Sequence, residues 1–225
     1  MRKALLVFVA AVALVVSSAM GRAQGQKTLD MYFLDMEGGG GTLMVSPSGE
    51  SLLLDVGVPG ARDAGRVVAL AKDLGLTQID YFLATHFHGD HYGGLADLVA
   101  RFPVRTFIDH GLTNNATKES GAPHWQGYTE ARAKVQHIVV KPGDKLPLMG
   151  LDVTVVTARG QKIKTPLAGG GAPNPLCADD FTPRYREGDL GDQMSIGLVI
   201  QYGNFREFQA GDLTWNREQF LLEAP

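Results

Sequence analysis

Thr85-His-Phe-His-Gly-Asp-His91 is followed at once by Tyr92-Gly-Gly94 and entered from the apolar run Ile79 to Ala84. A short apolar run closed by glycines reads as a buried strand that ends in a bend. Three of the six histidines in the chain fall in this stretch, with one carboxylate among them. Imidazole nitrogen and carboxylate oxygen together suit Zn²⁺ and its first-row neighbours. Alternate side chains of an extended stretch share a face, so His86, His88 and Asp90 are expected to converge before the glycines turn the chain into a helix. His91 then falls beside Asp90, in position to serve a second metal. Reading the same residues as a metal-free polar loop requires the histidines and the Asp to reach this register by chance.

On either side of the loop the pattern is α/β. Apolar runs at 30–35, 42–46 and 51–55, separated by Gly, Ser and Pro, predict a strand meander. Val67, Leu70, Ala71 and Leu74 recur at helical spacing over 63–75, with Gly75 where a helix stop is expected. After the loop, Leu95 to Phe102 reads as a helix and Val104 to Ile108 as a strand. Strand, helix and strand in that order form a parallel unit whose ligands gather at strand C-termini, where His86 to His91 lies. A further helix is expected from about Tyr128 to Val135, then strands near His137 to Val140 and Val153 to Thr157. Between Ala158 and Gly191 the chain loses periodicity and carries Gly169 to Gly171 and three prolines between Pro173 and Pro183. A stretch of this kind is a candidate lid or a solvated insertion. Met194 to Gly203 and Asn204 to Thr214 predict a hairpin that delivers Asp212 just past its second strand.

The pattern His-x-His-x-Asp-His at 86–91 resembles the signature of the metallo-β-lactamase fold superfamily. The resemblance extends upstream through Met31 to Met36, the Gly38 to Gly41 run, Thr42 to Gly49 and Ser51 to Gly57, which look like the opening strands of the ComEC-type branch. It implies an α/β fold, a metallo-β-lactamase-like αββα four-layer sandwich, with metals in a cleft at one edge. It also implies that Asp55 is the buried support of the ligand loop and that Asp212, in Gly211-Asp212, is the carboxylate bridging two metals. A shared anion there would lower the repulsion between two cations. Zinc β-lactamases generally lack that carboxylate, whereas phosphodiesterases, nucleases, lactonases and glyoxalase-like thioesterases have it.

The chain departs from the family pattern twice. The usual third histidine of the first metal has no counterpart in a matching context. ComEC-type relatives place a polar residue there, and in the corresponding stretch Asp189 to Ser195 the candidate is Asp192. His110 follows a strand end and is a candidate to line the cleft, while His124 and His137 read as surface or packing residues. The family's final histidine, which follows the bridging Asp, is also missing, since the chain stops at Pro225. The expectation is a domain over 27–225 whose closing strands and helix are missing from the chain.

Length and an apolar fraction of 44% agree with a single domain. Arg2-Lys3, the apolar run Ala4 to Val16 and the small residues Ser17 to Ala23 predict a signal peptide over 1–23, cleaved after Ala19, Gly21 or Ala23. The run is short for a membrane span, so the expected location is secreted or periplasmic with no stable membrane span after cleavage. Cleavage deletes Arg2, Lys3 and Arg22 and no acid, taking the formal charge from −3 to −6. With no Lys/Arg cluster along the sequence, strong nucleic-acid binding is not expected. The single cysteine, Cys177, allows no internal disulfide and reads as structural or as a free thiol rather than a ligand.

The reading for the intact domain is an exported metal-dependent hydrolase. Two Zn²⁺ ions, or Mn²⁺ or Fe in their place, are expected at His86, His88, Asp90, His91 and Asp212. A metal-bridging hydroxide is the attacking group, Asp90 the proton acceptor, and a phosphodiester the favoured substrate. Lactonase, thioesterase or β-lactamase chemistry on a small molecule is the enzymatic alternative. A non-catalytic binding domain with an incomplete metal site is the other.

Overall fold

The protein is described by a computed structural model over residues 27–112, 124–172, 182 and 190–222. The expected signal peptide, Cys177 and residues 173–181 and 183–189 of the candidate lid lie outside the described residues. Two sheets make up the framework. The larger has six strands in sequential order: β1 (Asp30–Phe33), β2 (Thr42–Val45), β3 (Ser51–Leu54), β4 (Ile79–Leu83), β5 (Val104–Asp109) and β6 (Gln136–Val139). Its first three strands form an antiparallel meander, and β3 to β6 run parallel. The smaller sheet is antiparallel in the order β10 (Phe205–Gln209), β9 (Gly197–Tyr202), β7 (Asp152–Ala158) and β8 (Gln161–Lys162).

Strand alternation splits the apolar residues of the larger sheet between two cores. Leu43, Leu53, Phe82 and Phe107 point to one side, where the helices Ala61–Asp73, Leu95–Val99 and Trp125–Arg132 bring Val67, Ala71, Leu95, Leu98 and Tyr128 against them. Met44, Leu52, Leu54, Leu83 and Ile108 point to the other side and meet Val153, Val155, Leu198 and Ile200 of the smaller sheet. The continuous run Leu52-Leu53-Leu54 serves both cores, which explains why β3 is apolar throughout. Each such side chain, fully withdrawn from water, contributes about 1.5–3 kcal/mol.

The mixed α/β architecture agrees with the sequence reading, and most element boundaries shift by only a few residues. The helix after the ligand loop is the exception. Gly89–Tyr92 and Leu95–Val99 are separate helical segments joined through Gly93-Gly94, and a Cβ at Gly94 would stand 2.4 Å from the Val56 carbonyl oxygen. Of the candidate lid, residues 158–172 are described and include β8. No helix among the described residues is long and apolar enough to cross a membrane.

Candidate metal centre

The parallel strands β3, β4 and β5 end together, and the loop Ala84 to His88 leaves β4 at that edge. Backbone bonds from Ala84 N to Ile108 O (3.0 Å) and from Ile196 N to Thr85 O (2.8 Å) fasten it to both sheets. Phe87 turns into the helix-side core, where its ring meets Tyr92, Trp125, Tyr128 and His110 at centroid distances of 5.9, 4.9, 5.6 and 4.6 Å. With Phe87 anchored inward, His86 and His88 project away from that core and lie edge to face, 4.5 Å between centroids. The central residue of His-Phe-His is thus an apolar peg that aims the imidazoles on either side of it.

Asp55 holds the loop from beneath. Its Oδ1 accepts from Thr85 N at 2.8 Å, and its Oδ2 accepts from the Thr85 hydroxyl and lies 2.8 Å from His91 Nδ1. Asp55 adopts a left-handed backbone conformation, φ 57°, which is uncommon for a residue other than glycine and concentrates at functional sites. Because the Thr85 hydroxyl donates to Asp55, its oxygen accepts from His86 Nδ1–H at 3.1 Å. These partners assign Nδ1–H on both His86 and His91, so both Nε2 atoms are left to face the other His and Asp side chains of the cluster, the arrangement by which hydrogen-bonded histidines present a metal ligand.

Two sets of side chains bring one ligand atom each within 4.8 Å of one another: His86, His88 and Asp192, and His86, His91 and Asp212. Asp192 Oδ1 lies 2.9 Å from His88 Nδ1 and 3.7 Å from His86 Nε2. Asp212 Oδ1 lies 3.3 Å from His91 Nε2, which is buried and lacks a partner with hydrogen-bond alignment. A buried imidazole nitrogen facing carboxylate oxygens without a hydrogen bond, in an N/O donor set, fits a divalent first-row cation.

The electrostatics are those of a site built around cations. Burial, reinforced by His91 and His88, drives His86 down to about 2, so it is a neutral donor. Burial alone would also lower His91, but the Asp212 and Asp55 carboxylates outweigh it and raise His91 to about 10. The contact with His91 in turn holds Asp212 below the usual carboxylate range.

Asp90 belongs to neither set. It already lies in the helical turn Gly89–Tyr92, so strand alternation does not carry it to His86 and His88. Its side chain is 42% exposed, with Oδ2 3.9 Å from His91 Nε2. His110 is buried behind the loop, against Phe87 and with Nδ1 2.7 Å from Gly111 O, and is in neither set. His124 is an exposed residue before the helix Trp125–Arg132, and His137 pairs with buried Asp109 at 2.9 Å.

Glycines near the ligands carry more of the site than their place in the sequence suggests. A Cβ at Gly40 would stand 2.7 Å from Asp55 Oδ2 and 2.8 Å from His91 Nδ1, and one at Gly39 would collide with the Asp90 carbonyl. At Gly191 a Cβ would overlap the His88 ring, and at Gly211 it would meet Thr85 and Ser195. Glycine before each of Asp192 and Asp212 lets the backbone approach closely enough for those carboxylates to reach the histidines. The Gly38 to Gly41 run was the available sequence signal; Gly191 is isolated and offered none.

The chain is similar to several known proteins. The chain is 32% identical over 87 residues to a lactamase-like protein of Pestalotiopsis microspora, covering 39% of this chain and 24% of that one. Among solved structures, a Cronobacter sakazakii metallo-β-lactamase with a HARLDQ motif is 14% identical with a TM-score of 0.48, covering 80% of this chain and 58% of that chain. BJP-1, a subclass B3 metallo-β-lactamase of Bradyrhizobium japonicum, is 18% identical with a TM-score of 0.45, covering 82% of this chain and 58% of that one. The chain therefore spans about a quarter of the length of the curated relative and less than two thirds of these two structures. The family profile described as the metallo-beta-lactamase superfamily matches residues 38–166, more than half of the chain. That span holds the glycine run, Asp55 and the whole ligand loop, and the chain belongs to the metallo-β-lactamase superfamily.

Proposed function

We propose that this chain carries the metal centre of a hydrolase acting on phosphodiesters. The observation that supports it most directly is the pair of His/Asp groups at the sheet edge, including carboxylates at both Asp192 and Asp212. His86 Nε2 has a single lone pair, so it can serve one ion only. Its 2.9 Å approach to His88 Nδ1, with Asp192 beside both, supports His86, His88 and Asp192 as the ligands of one ion. His91 and Asp212 are left for a second, with Asp90 at its solvent edge. Asp192 thus takes the place of the third histidine, and the extra negative charge suits a centre holding two cations. Divalent ions held there supply Lewis acidity and a lowered water pKa to hydrolysis.

The protein side chains have separate tasks. Asp55 and Thr85 fix the tautomers of His91 and His86, and the Phe87 peg fixes the loop. Asp90, exposed at the rim, is placed to accept the proton released when water attacks. The phosphodiester class is supported by the Gly211-Asp212 carboxylate and the ComEC-like opening strands. Residues 1–23 support export.

Metal content and turnover together test the proposal. Elemental analysis after dialysis is expected to find two metals per chain, and bis-p-nitrophenyl phosphate should be hydrolysed with added Zn²⁺ or Mn²⁺. His88→Ala should abolish that activity, and Asp90→Asn should lower kcat far more than it changes KM. Two bound metals with hydrolysis only of a lactone, thioester or β-lactam would keep the centre and reject the substrate. No metal retained would reject both.

A further inference from the structure

A second feature lies on the outward face of the smaller sheet. Lys141, Lys145, Lys162, Lys164 and Arg206 come from the segment after β6, from β8 and the turn that follows it, and from β10, and they surround one cavity of about 750 Å³. Thr154, Val199 and Gln201 line the same cavity from β7 and β9. Their strand neighbours Val153, Val155, Leu198 and Ile200 are buried in the core between the sheets. None of the His/Asp ligand candidates lines it.

The lining charge is strongly one-sided. Asp152 is the single carboxylate against five cations, and Lys145 Nζ already holds it at 2.6 Å. Lys162 Nζ donates to Phe220 O at 2.8 Å and Arg206 Nη1 to Ala168 O at 3.0 Å. The Ala168 carbonyl orients Arg206 without neutralising it. Lys141 and Lys164 are exposed and have no carboxylate within ion-pair distance among the described residues. Gathering like charges in one hollow of a chain whose formal charge is −3 raises the local potential and attracts anions. The volume lies in the range of small-molecule sites, roughly 300–1,000 Å³, and Val199, Ile163 and Leu167 add an apolar strip.

We propose that this cavity binds a small anion carrying two or more phosphate groups, independently of the metal centre. Inorganic pyrophosphate is the probe, titrated calorimetrically into the full chain after chelator treatment, so that no metal can hold it. One saturable site is expected, weakened as salt rises. The double variant Lys141→Glu, Lys164→Glu should bind at least about tenfold more weakly as two attractive charges become repulsive. Both side chains are exposed, and circular dichroism with an unchanged unfolding midpoint checks that the variant folds. His88→Ala should bind pyrophosphate as the parent chain does. No saturable binding at millimolar pyrophosphate would overturn the proposal, as would equal affinity in the double variant or a loss of binding in His88→Ala.

Discussion

Two buried aspartates in this fold each hold a histidine, at nearly the same distance and with different consequences. Asp55 lies 2.8 Å from His91 Nδ1, and Asp109 lies 2.9 Å from His137 Nε2. Asp109 is enclosed by donors: the Tyr128 hydroxyl at 2.5 Å, Arg132 Nη1 at 3.0 Å and Gly111 N at 2.7 Å. Its charge is used up in joining β5, β6 and the helix Trp125–Arg132. Beyond His91, by contrast, stand Asp212 and His86, so the Asp55 pair ends in further ligand atoms. An Asp–His contact is therefore not a functional sign in itself. What lies on the far side of the imidazole decides whether the pair is a clamp or a ligand with its support.

The largest effect that can break this comparison comes from removing each carboxylate. Asp55→Ala leaves the Thr85 amide and a buried His91 without their acceptor, and about 3–5 kcal/mol of stability should be lost. Asp109→Ala leaves the buried Tyr128 hydroxyl without its acceptor, but Arg132 and His137 are partly exposed, so water can replace part of the interaction and about 2–3 kcal/mol is expected. Denaturant midpoints give both values. Metal content of the folded protein should separate them: it should fall for Asp55→Ala and hold for Asp109→Ala. Equal metal loss in both variants would erase the distinction.

Proton linkage sharpens the contrast. With its pKa raised from 6.5 to about 10, His91 stabilises the metal-free fold fully below 6.5, and that contribution disappears as pH rises through 10. A metal must displace the proton, so apparent affinity should rise about tenfold per unit between roughly pH 7 and 9. Competition with a chelator measures it, and a flat profile would show that His91 is not a ligand. Asp109 moves the opposite way. Burial would raise its pKa, but the bonds from His137 and Tyr128 outweigh it and lower it from 3.8 to about 2. Its contribution, on the order of 2 kcal/mol, is present above 3.8 and lost as pH falls through 2, with no change in the metal equilibrium near neutrality. Acid unfolding of Asp109→Asn should lack this limb.

The smallest predicted effect concerns the glycine packed on the Asp55 pair. Gly40→Ala brings a Cβ to 2.7 Å from Asp55 Oδ2 and 2.8 Å from His91 Nδ1, so the pair must shift. A drop of about tenfold in metal affinity, roughly 1.4 kcal/mol, is expected, with little change in overall stability. Chelator competition reads it directly, and an unchanged affinity would mean that the loop yields without moving the imidazole.

Much of this was legible along the chain because it depends on local periodicity. The apolar runs that became β2 and β3, the helix Ala61–Asp73, and the turn after β4 that carries His86 to His91 all reflect spacings within a few residues. Asp55 was reached through resemblance alone, since a lone Asp after an apolar run has no local mark of function. The role of Asp90 was harder to place: alternation puts it with His86 and His88, whereas the helical turn beginning at Gly89 moves it to the rim. Gly191 was invisible because its importance lies in contact with His88, about a hundred positions away.

The sequence by itself determined the donor inventory: imidazoles and a carboxylate crowded into one loop, the candidate Asp192, and the Gly-Asp pair at 211–212. Residue types and short spacings carry that information because side-chain chemistry and strand period are local properties. Tertiary structure alone decided which carboxylate meets which histidine, that Asp109 closes a clamp, and that five scattered cations share one cavity. Those outcomes depend on where the two sheets meet and which way each strand end faces. Both are set by long-range burial of the cores, which no short window of residues contains.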